Sequence, residues 1–195
     1  MEEANESALM RELKNLWGKS LFRTIIYFIL IIFAVYAFQA ILTYALNTPY
    51  PLQTPISGSM EPTLKVGDLL IVKGVNAEDI VAAPKPTGDI IVFKKPGSPE
   101  ELVVHRAVQK YMVGGKWYFR TQGDNNPYMD PWVVSEDQIV GKVIFSIPYL
   151  GYVKIYLGTP LGMIINIILI ILLLILENMT LSKRMKEESE DDNQV

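Results

Sequence analysis

The sequence predicts a mainly β protein, in which a compact, antiparallel, barrel-like domain lies between two transmembrane helices. Charged residues are absent from residues 24–60 and again from 155–176. Each stretch contains an apolar run long enough to cross a hydrocarbon core of about 30 Å. Between them, short apolar runs bounded by glycine and proline recur without a convincing long helix. That spacing is typical of antiparallel β domains.

Residues 24–46 are the first predicted transmembrane helix. These 23 residues carry no charge and would extend roughly 34 Å as an α-helix. A cleaved signal peptide is the alternative interpretation. The apolar run is too long for the hydrophobic region of such a peptide, and no compact Ala-x-Ala site follows it. We therefore expect an uncleaved anchor.

Residues 155–176 are the second predicted transmembrane helix. They contain 22 uncharged residues, which would extend roughly 33 Å as a helix. Gly158, Pro160 and Gly162 weaken the start of this helix. A buried core helix is the alternative. From 164 to 176, however, every residue except Asn166 is isoleucine or leucine, so all faces are apolar and the membrane is favoured.

Basic residues beside the two spans predict the orientation of the chain. Arg23 precedes the first span, and Lys183 and Arg184 follow the second. Because cytoplasmic flanks carry an excess of lysine and arginine, we expect both termini in the cytoplasm and the domain outside, in a multi-pass cell-membrane protein. The predicted parts are an N-terminal tail at 1–23, spans at 24–46 and 155–176, an extracytoplasmic domain at 47–154, and an acidic, disordered tail at 177–195.

Five strands are predicted in the middle domain. Each is a short apolar run with turn residues at its ends. Gly114 and Gly115 indicate a hairpin between the third and fourth strands, and residues 123–130 form a loop rich in Asp, Asn and Pro. The predicted strands are 67–74, 88–93, 102–111, 116–121 and 139–147.

Composition excludes several classes of function. Residues 47–154 contain 11 basic and 11 acidic residues, so the domain has no net charge with which to attract nucleic acid. Cysteine is absent and His105 is the single histidine. Disulfides, a thiol nucleophile and a metal site of clustered Cys or His are therefore excluded, and we expect no cofactor.

Ser59 is the candidate nucleophile. It lies in the segment PISGSMEPT at residues 55–63, where Gly58 permits a tight turn and Pro55 and Pro62 stiffen the flanks. A serine hydroxyl held on a rigid turn can attack a carbonyl, provided that a base and oxyanion donors lie nearby. A simple polar turn of Ser, Gly and Pro is the alternative.

His105 is the candidate base, and two aspartates are candidates for the acid that orients it. Alternation along the third strand puts His105 on the same face as Val103 and Ala107. The loop at 123–130 offers Asp124 and Asp130, and spacing alone does not choose between them. Lysine would need desolvation to act as a base near neutral pH. The sequence predicts exposed positions for the three candidate lysines, Lys73, Lys94 and Lys95.

Five segments occur in the order SGSMEPT, GDLLIV, GDIIVF, VHRAV and GDNNPYMD. In these motifs, over roughly residues 22–150, the sequence resembles the membrane type I signal peptidases. Most bacterial members have lysine as the base, whereas the endoplasmic-reticulum and archaeal branch has histidine. The sequence has His105 there and therefore resembles the Ser-His-Asp branch.

The resemblance implies a membrane-bound serine endopeptidase that cleaves N-terminal signal peptides from exported preproteins after a small-x-small motif. It implies as partners the signal peptides of secretory preproteins, membrane lipid and the protein translocation channel, with no nucleic acid and no cofactor. The implied roles are Ser59 as nucleophile, His105 as base, Asp130 as triad acid, Asp124 as a second important acid, Ser57 with Ser59 at the oxyanion, and Met60 beside the substrate groove and membrane.

Two features depart from the bacterial pattern. The domain lacks the large insertion of many bacterial members, and the second span follows the domain rather than preceding it. Two other functions remain as alternatives: an inactive β scaffold held outside the membrane, and a self-cleaving Ser-Lys peptidase of the repressor type. The two spans and the missing DNA-binding segment argue against the repressor type.

Overall fold

The structure, a computed structural model, describes residues 2–192. Met1 and residues 193–195, at the ends of the two predicted tails, lie outside this range. The chain divides into two units. One unit contains helical residues up to 38 and from 160 onward, and the other consists of residues 39–159 and contains the sheet.

The sheet unit contains seven strands in one antiparallel sheet, in the order β1-β2-β7-β3-β4-β5-β6. All five predicted strands are present, with shifted ends for four of them. The sequence did not predict the two outermost strands, each of which is two residues long. The strands are β1 Leu52–Gln53, β2 Leu69–Lys73, β3 Ile90–Lys95, β4 Ser98–Val113, β5 Lys116–Gln122, β6 Val134–Ser135 and β7 Ile139–Ile147.

The sheet is antiparallel, as predicted, but its pairing does not close it. Within the described residues, β1 pairs only with β2 and β6 pairs only with β5. The barrel-like shape is therefore not confirmed. The mainly antiparallel sheet is confirmed.

Alternation along β3 divides the core between two apolar clusters. Val92 packs with Met60 and Leu70 in one cluster, whereas Ile91 and Phe93 belong to the other. Because side chains alternate along a strand, the central strands contribute to both clusters. Both sides of the sheet are thus packed near its centre, and this packing holds the strand that carries His105.

The helical elements differ from the predicted spans at their ends. Helix α1 is Glu2–Ala45, so the N-terminal tail and the first span form one helix. Its segment Thr24–Ala45 is long and apolar enough to cross a membrane, with a mean hydropathy of 2.6.

The second predicted span is interrupted. Helix α2 is Gly151–Gly158 and helix α3 is Pro160–Asp192. Thr159 has an extended backbone between them, and the proline that follows cannot donate a helical hydrogen bond. These helices count as a second candidate span only if Gly151–Gly158 and Pro160–Leu173 are taken together. The acidic tail, predicted to be disordered, instead continues α3 to Asp192.

The segment after α1 is fastened to the sheet unit. The Gly74 N–H donates to the Leu46 carbonyl at 2.8 Å, and the buried Thr48 hydroxyl donates to the Val140 carbonyl at 3.0 Å. Asn47 adopts a φ of 50°, in the left-handed region that asparagine tolerates. The predicted extended linker therefore begins with a fixed turn.

Candidate active site

Ser59 lies in a 3₁₀ turn at Gly58–Met60, between α1 and β2. The Glu61 N–H donates to the Gly58 carbonyl at 3.1 Å and closes this turn. The Ser59 Oγ is 3.1 Å from His105 Nε2 and 3.3 Å from Ser57 Oγ. The predicted nucleophile and the predicted base are therefore within hydrogen-bonding distance, although 46 residues separate them in sequence.

His105 is buried on β4, where it stands opposite Ile91 of β3. Its Nδ1 is 2.7 Å from Asp130 Oδ2. A carboxylate can only accept, so Nδ1 carries the proton in this bond and Nε2 is left free to accept one from Ser59. The ring is thus held in the tautomer that a general base requires.

Asp130 is held at several atoms. It follows β5, and its N–H donates to the Thr121 carbonyl at 2.8 Å. The Thr121 hydroxyl donates to Asp130 Oδ2 at 2.6 Å, and Arg120 Nη2 donates to the Asp130 carbonyl at 3.1 Å. Of the two acids that the sequence offered, Asp130 is the one that contacts the imidazole.

Asp124 has different partners. Arg106 binds it at both oxygens, Nε to Oδ1 at 2.8 Å and Nη2 to Oδ2 at 2.6 Å, and the Thr63 hydroxyl donates to Oδ2 at 2.6 Å. Burial would raise the pKa of the Asp124 carboxyl. Hydrogen bonds from Arg106 and Thr63, with the Arg106 charge, outweigh burial and hold this pKa below its usual value. The carboxylate is therefore ionised within a buried ion pair.

Hydrogen bonds from Arg106 connect β4 to the loop at 123–130 and to residues 86–88. Besides Asp124, its Nη1 donates to the carbonyls of Pro86, at 3.2 Å, and Gly88. Arg106 neighbours His105 on β4, and alternation sends their side chains to opposite faces. The strand thus directs the imidazole to Ser59 and the guanidinium to the loop that carries both aspartates.

The same loop also contacts the nucleophile turn directly. The Asn125 N–H donates to the Ser59 carbonyl at 2.9 Å, and Asn125 Nδ2 donates to the Gly58 carbonyl at 3.1 Å. A Cβ on Gly123 would lie only 2.6 Å from the Ser59 carbonyl oxygen, so only glycine fits without displacement. One loop therefore positions both the acid and the serine.

Met60 belongs both to the core and to the lining of the groove. Its side chain is only 1% exposed and packs with Leu64, Val72 and Val92. The 3₁₀ turn directs this side chain inward while Ser59 stays accessible. Met60 also lines the groove beside Ser59.

In the described part of the chain, the hydrogen-bond partners of Ser59 Oγ are His105 and Ser57 rather than a lysine. Lys94 and Lys95, predicted in an exposed loop, instead end β3 and are half-buried. Lys95 Nζ binds Glu101 at 2.7 Å, and the Lys73 side chain is exposed at the end of β2. His105 occupies the position beside Ser59 Oγ where a lysine base would have to lie. Within residues 2–192, no three His, Cys, Asp or Glu side chains are grouped as metal ligands would be.

Sequence reasoning missed four residues at this site: Arg106, Thr121, Gly123 and Asn125. Only Arg106 left a usable signal in the sequence. A charged residue inside the apolar strand VHRAV is buried only when it is paired, which pointed to an acid elsewhere in the chain. The roles of the other three depend on backbone geometry that spacing does not reveal.

A groove of ≈ 370 Å³ opens beside Ser59 and His105. Residues of two chain segments contribute most of its lining: 54–57, which precede the nucleophile turn, and 101–105 of β4. Trp132 and Asn126 complete it. The groove is mostly apolar and open to solvent, and Ser59 is among the residues that line it.

Comparison with known proteins shows that the sequence is similar to signal peptidases. Residues 23–109 match the family model described as signal peptidase, peptidase S26; this range includes Ser59 and His105 but ends before both aspartates. The signal peptidase complex catalytic subunit SEC11 of Pyricularia oryzae is 36% identical over 124 residues, 60% of this chain and 69% of the relative. The subunit of the same name from Tuber melanosporum is 32% identical over 162 residues, 76% of this chain and 86% of the relative.

Proposed function

Because the chain belongs to the peptidase S26 family of signal peptidases, we propose that it cleaves signal peptides as a membrane-bound serine endopeptidase of the Ser-His-Asp type. One observation carries the proposal. Ser59 Oγ, His105 Nε2, His105 Nδ1 and Asp130 Oδ2 form a continuous row, with hydrogen-bond lengths of 3.1 and 2.7 Å. This is the arrangement that a serine nucleophile needs.

In the proposed mechanism, Ser59 Oγ attacks the scissile carbonyl and its proton passes to His105 Nε2. Asp130 stabilises the resulting imidazolium through Nδ1. The Ser59 N–H and the Ser57 hydroxyl donate hydrogen bonds to the carbonyl oxygen and stabilise the negative charge that develops on it. His105 then protonates the leaving amine, and a water molecule, activated by the same base, releases the acyl group from Ser59.

We assign the substrate to an unpaired edge of β4. Among the described strands, β5 pairs with β4 only from Arg106 onward, whereas β3 covers the other edge at Leu102–Arg106. The β5-side edge of Leu102 to Val104 is therefore free beside the groove. An extended peptide can add to such an edge through main-chain hydrogen bonds.

This binding mode supports a small-x-small preference. In an extended peptide, the side chains at −1 and −3 point to the same side, and the side chain at −2 points away. The first two would enter the groove together, and we propose that shallow pockets there exclude large side chains. The −2 residue stays outside, so its size matters less.

For the membrane arrangement, we propose that Thr24–Ala45 is an uncleaved anchor, that residues 155–176 cross the membrane as a broken second span, and that both termini are cytoplasmic. The relatives carry the name of a catalytic subunit of a signal peptidase complex. By extension we propose secretory preproteins, membrane lipid, further complex subunits and the translocation channel as partners. Tags at the two termini should be accessible only from the cytoplasmic side; opposite accessibility would exclude the second span.

The function is tested with the full chain purified in detergent and mixed with a preprotein. The wild type should release the signal peptide, and N-terminal sequencing of the product should place the cut after a small-x-small sequence. Ser59→Ala should lower kcat by on the order of 10⁶, whereas Ser98→Ala, an exposed serine on β4, should cleave normally. Equal rates for Ser59→Ala and wild type would refute the mechanism, and an inactive wild type would favour the scaffold alternative.

A further inference from the structure

The carboxylate of Asp130 accepts two hydrogen bonds at the same oxygen. His105 Nδ1 lies 2.7 Å from Oδ2, and the Thr121 hydroxyl lies 2.6 Å from the same atom. Thr121 is fully buried and Asp130 is nearly so. Water therefore does not compete for this oxygen, and the two donors together determine its direction.

Thr121 reaches this position because of the pairing of β4 and β5. It stands opposite Ala107, two residues along β4 from His105. Alternation puts Ala107 and His105 on the same face of β4, and directly opposed residues of an antiparallel pair share a face. Thr121 and His105 thus point to the same side of the sheet, where the loop returns Asp130 between them.

We propose that Thr121 is a positioning residue of the active site, whose hydroxyl orients the Asp130 carboxylate toward His105. This inference rests on the proposed serine peptidase mechanism. The terminal torsion of an aspartate is broad and roughly two-fold, so backbone anchoring alone does not fix Oδ2. The Asp130 N–H bond to the Thr121 carbonyl holds the main chain, and the hydroxyl supplies the missing restraint on the carboxylate.

Two substitutions of Thr121 distinguish the effect of the hydroxyl from the effect of the rest of the side chain. Thr121→Val keeps the β-branched shape and the main-chain bond to Asp130 but removes the donor. Thr121→Ser keeps the donor and removes only a methyl group. Because Thr121 does not line the groove, loss of the hydroxyl should lower kcat and leave KM unchanged.

The experiment measures kcat and KM of the full chain in detergent with a preprotein substrate, together with thermal melts. We expect kcat of Thr121→Val to fall on the order of tenfold to a hundredfold, with Thr121→Ser within about threefold of wild type. The exposed Thr87→Val controls for the substitution itself. If the valine variant does not fold, Thr121→Ala removes the same hydroxyl without placing a methyl group against the carboxylate.

A double variant tests whether Thr121 acts through Asp130. In the Asp130→Asn background, adding Thr121→Val should change the residual rate by less than about twofold, because coupled residues are not additive. Full activity of Thr121→Val, an equal loss in Thr121→Ser, or an additive loss in the double variant would each overturn the proposal. An inactive wild type would instead refute the proposed function, so the two failures are distinguishable.

Discussion

Replacing Asp124 by alanine should destabilise the sheet unit through Arg106. The Arg106 and Asp124 side chains are 5% and 2% exposed, and their closest N···O distance is 2.6 Å. Alanine at 124 would leave a guanidinium buried without its counter-ion. Arg106 still binds the carbonyls of Pro86 and Gly88, but these are neutral and do not compensate the charge.

The expected magnitude follows from this burial. Removing one partner of a buried ion pair costs about 3–5 kcal/mol of unfolding free energy. For a unit of this size, that loss corresponds to a fall in Tm of roughly 10–20 °C. A matched control is Asp137→Ala. Asp137 pairs with Lys116 at 2.7 Å, but both side chains are more than half exposed, so solvent screens the pair and we expect almost no change in Tm.

The pH dependence has a definite sign. The pKa of Asp124 is lower in the folded chain than its ordinary value of 3.8. The ionised carboxylate therefore contributes stability at pH values above about 4, and this contribution is lost as the pH falls through the folded-state pKa. Because asparagine does not titrate, the Tm of Asp124→Asn should fall less than the Tm of the wild type as the pH is lowered.

Thermal melts in detergent between pH 3 and pH 7 test these expectations for wild type, Asp124→Ala, Asp124→Asn and Asp137→Ala. Asp124→Ala combined with Arg106→Met should recover part of the lost stability, because no unpaired charge remains. The reasoning fails if Asp124→Ala melts within about 3 °C of wild type, or if Asp137→Ala is equally destabilised.

The remaining predictions concern catalysis. Asp130→Asn should lower kcat by about 10⁴, since it permits the wrong imidazole tautomer, with little change in Tm; wild-type rates would contradict the proposed triad. His105→Lys should be inactive in the same cleavage assay, because a flexible ammonium chain does not reproduce the Nε2 position; full activity would exclude a histidine base. Gly123→Ala should displace the Ser59 carbonyl and lower kcat by roughly a hundredfold; unchanged steady-state kinetics would show that the loop adapts.

The regular strands could be predicted from the sequence because apolar runs bounded by turn residues specify them locally. The strand at Ile139–Ile147 was predicted with its observed ends. The strands Leu52–Gln53 and Val134–Ser135 could not be found, because two-residue strands depend on neighbouring strands rather than on their own sequence. The break at Thr159 was signalled only by the glycines and proline around it.

The candidate site also contains some residues that could be predicted from the sequence and some contacts that could not. Ser59 and His105 could be named because their chemistry restricts the choice of residue, whereas Asp130 was preferred to Asp124 only through the family resemblance. The structure brings Ser59, His105 and Asp130 within hydrogen-bonding distance. The partner of Asp124 could not be deduced, since it depends on where a loop meets the opposite face of β4. The inward turn of Met60 has the same origin, because the direction of a side chain in a 3₁₀ turn is not evident from its neighbours in sequence.

The hydrogen-bonded segment after α1, at residues 46–48, affects whether the protein could cleave itself. Under the proposed function, the peptidase cuts behind apolar N-terminal helices, and in this chain residues 46–50 directly follow such a helix. To lie extended beside Ser59, this stretch would have to release the bond from Thr48 to Val140 and the bond from Gly74 to Leu46. Two hydrogen bonds thus hold this stretch in the folded sheet unit, and under the proposed function we expect the anchor to be retained.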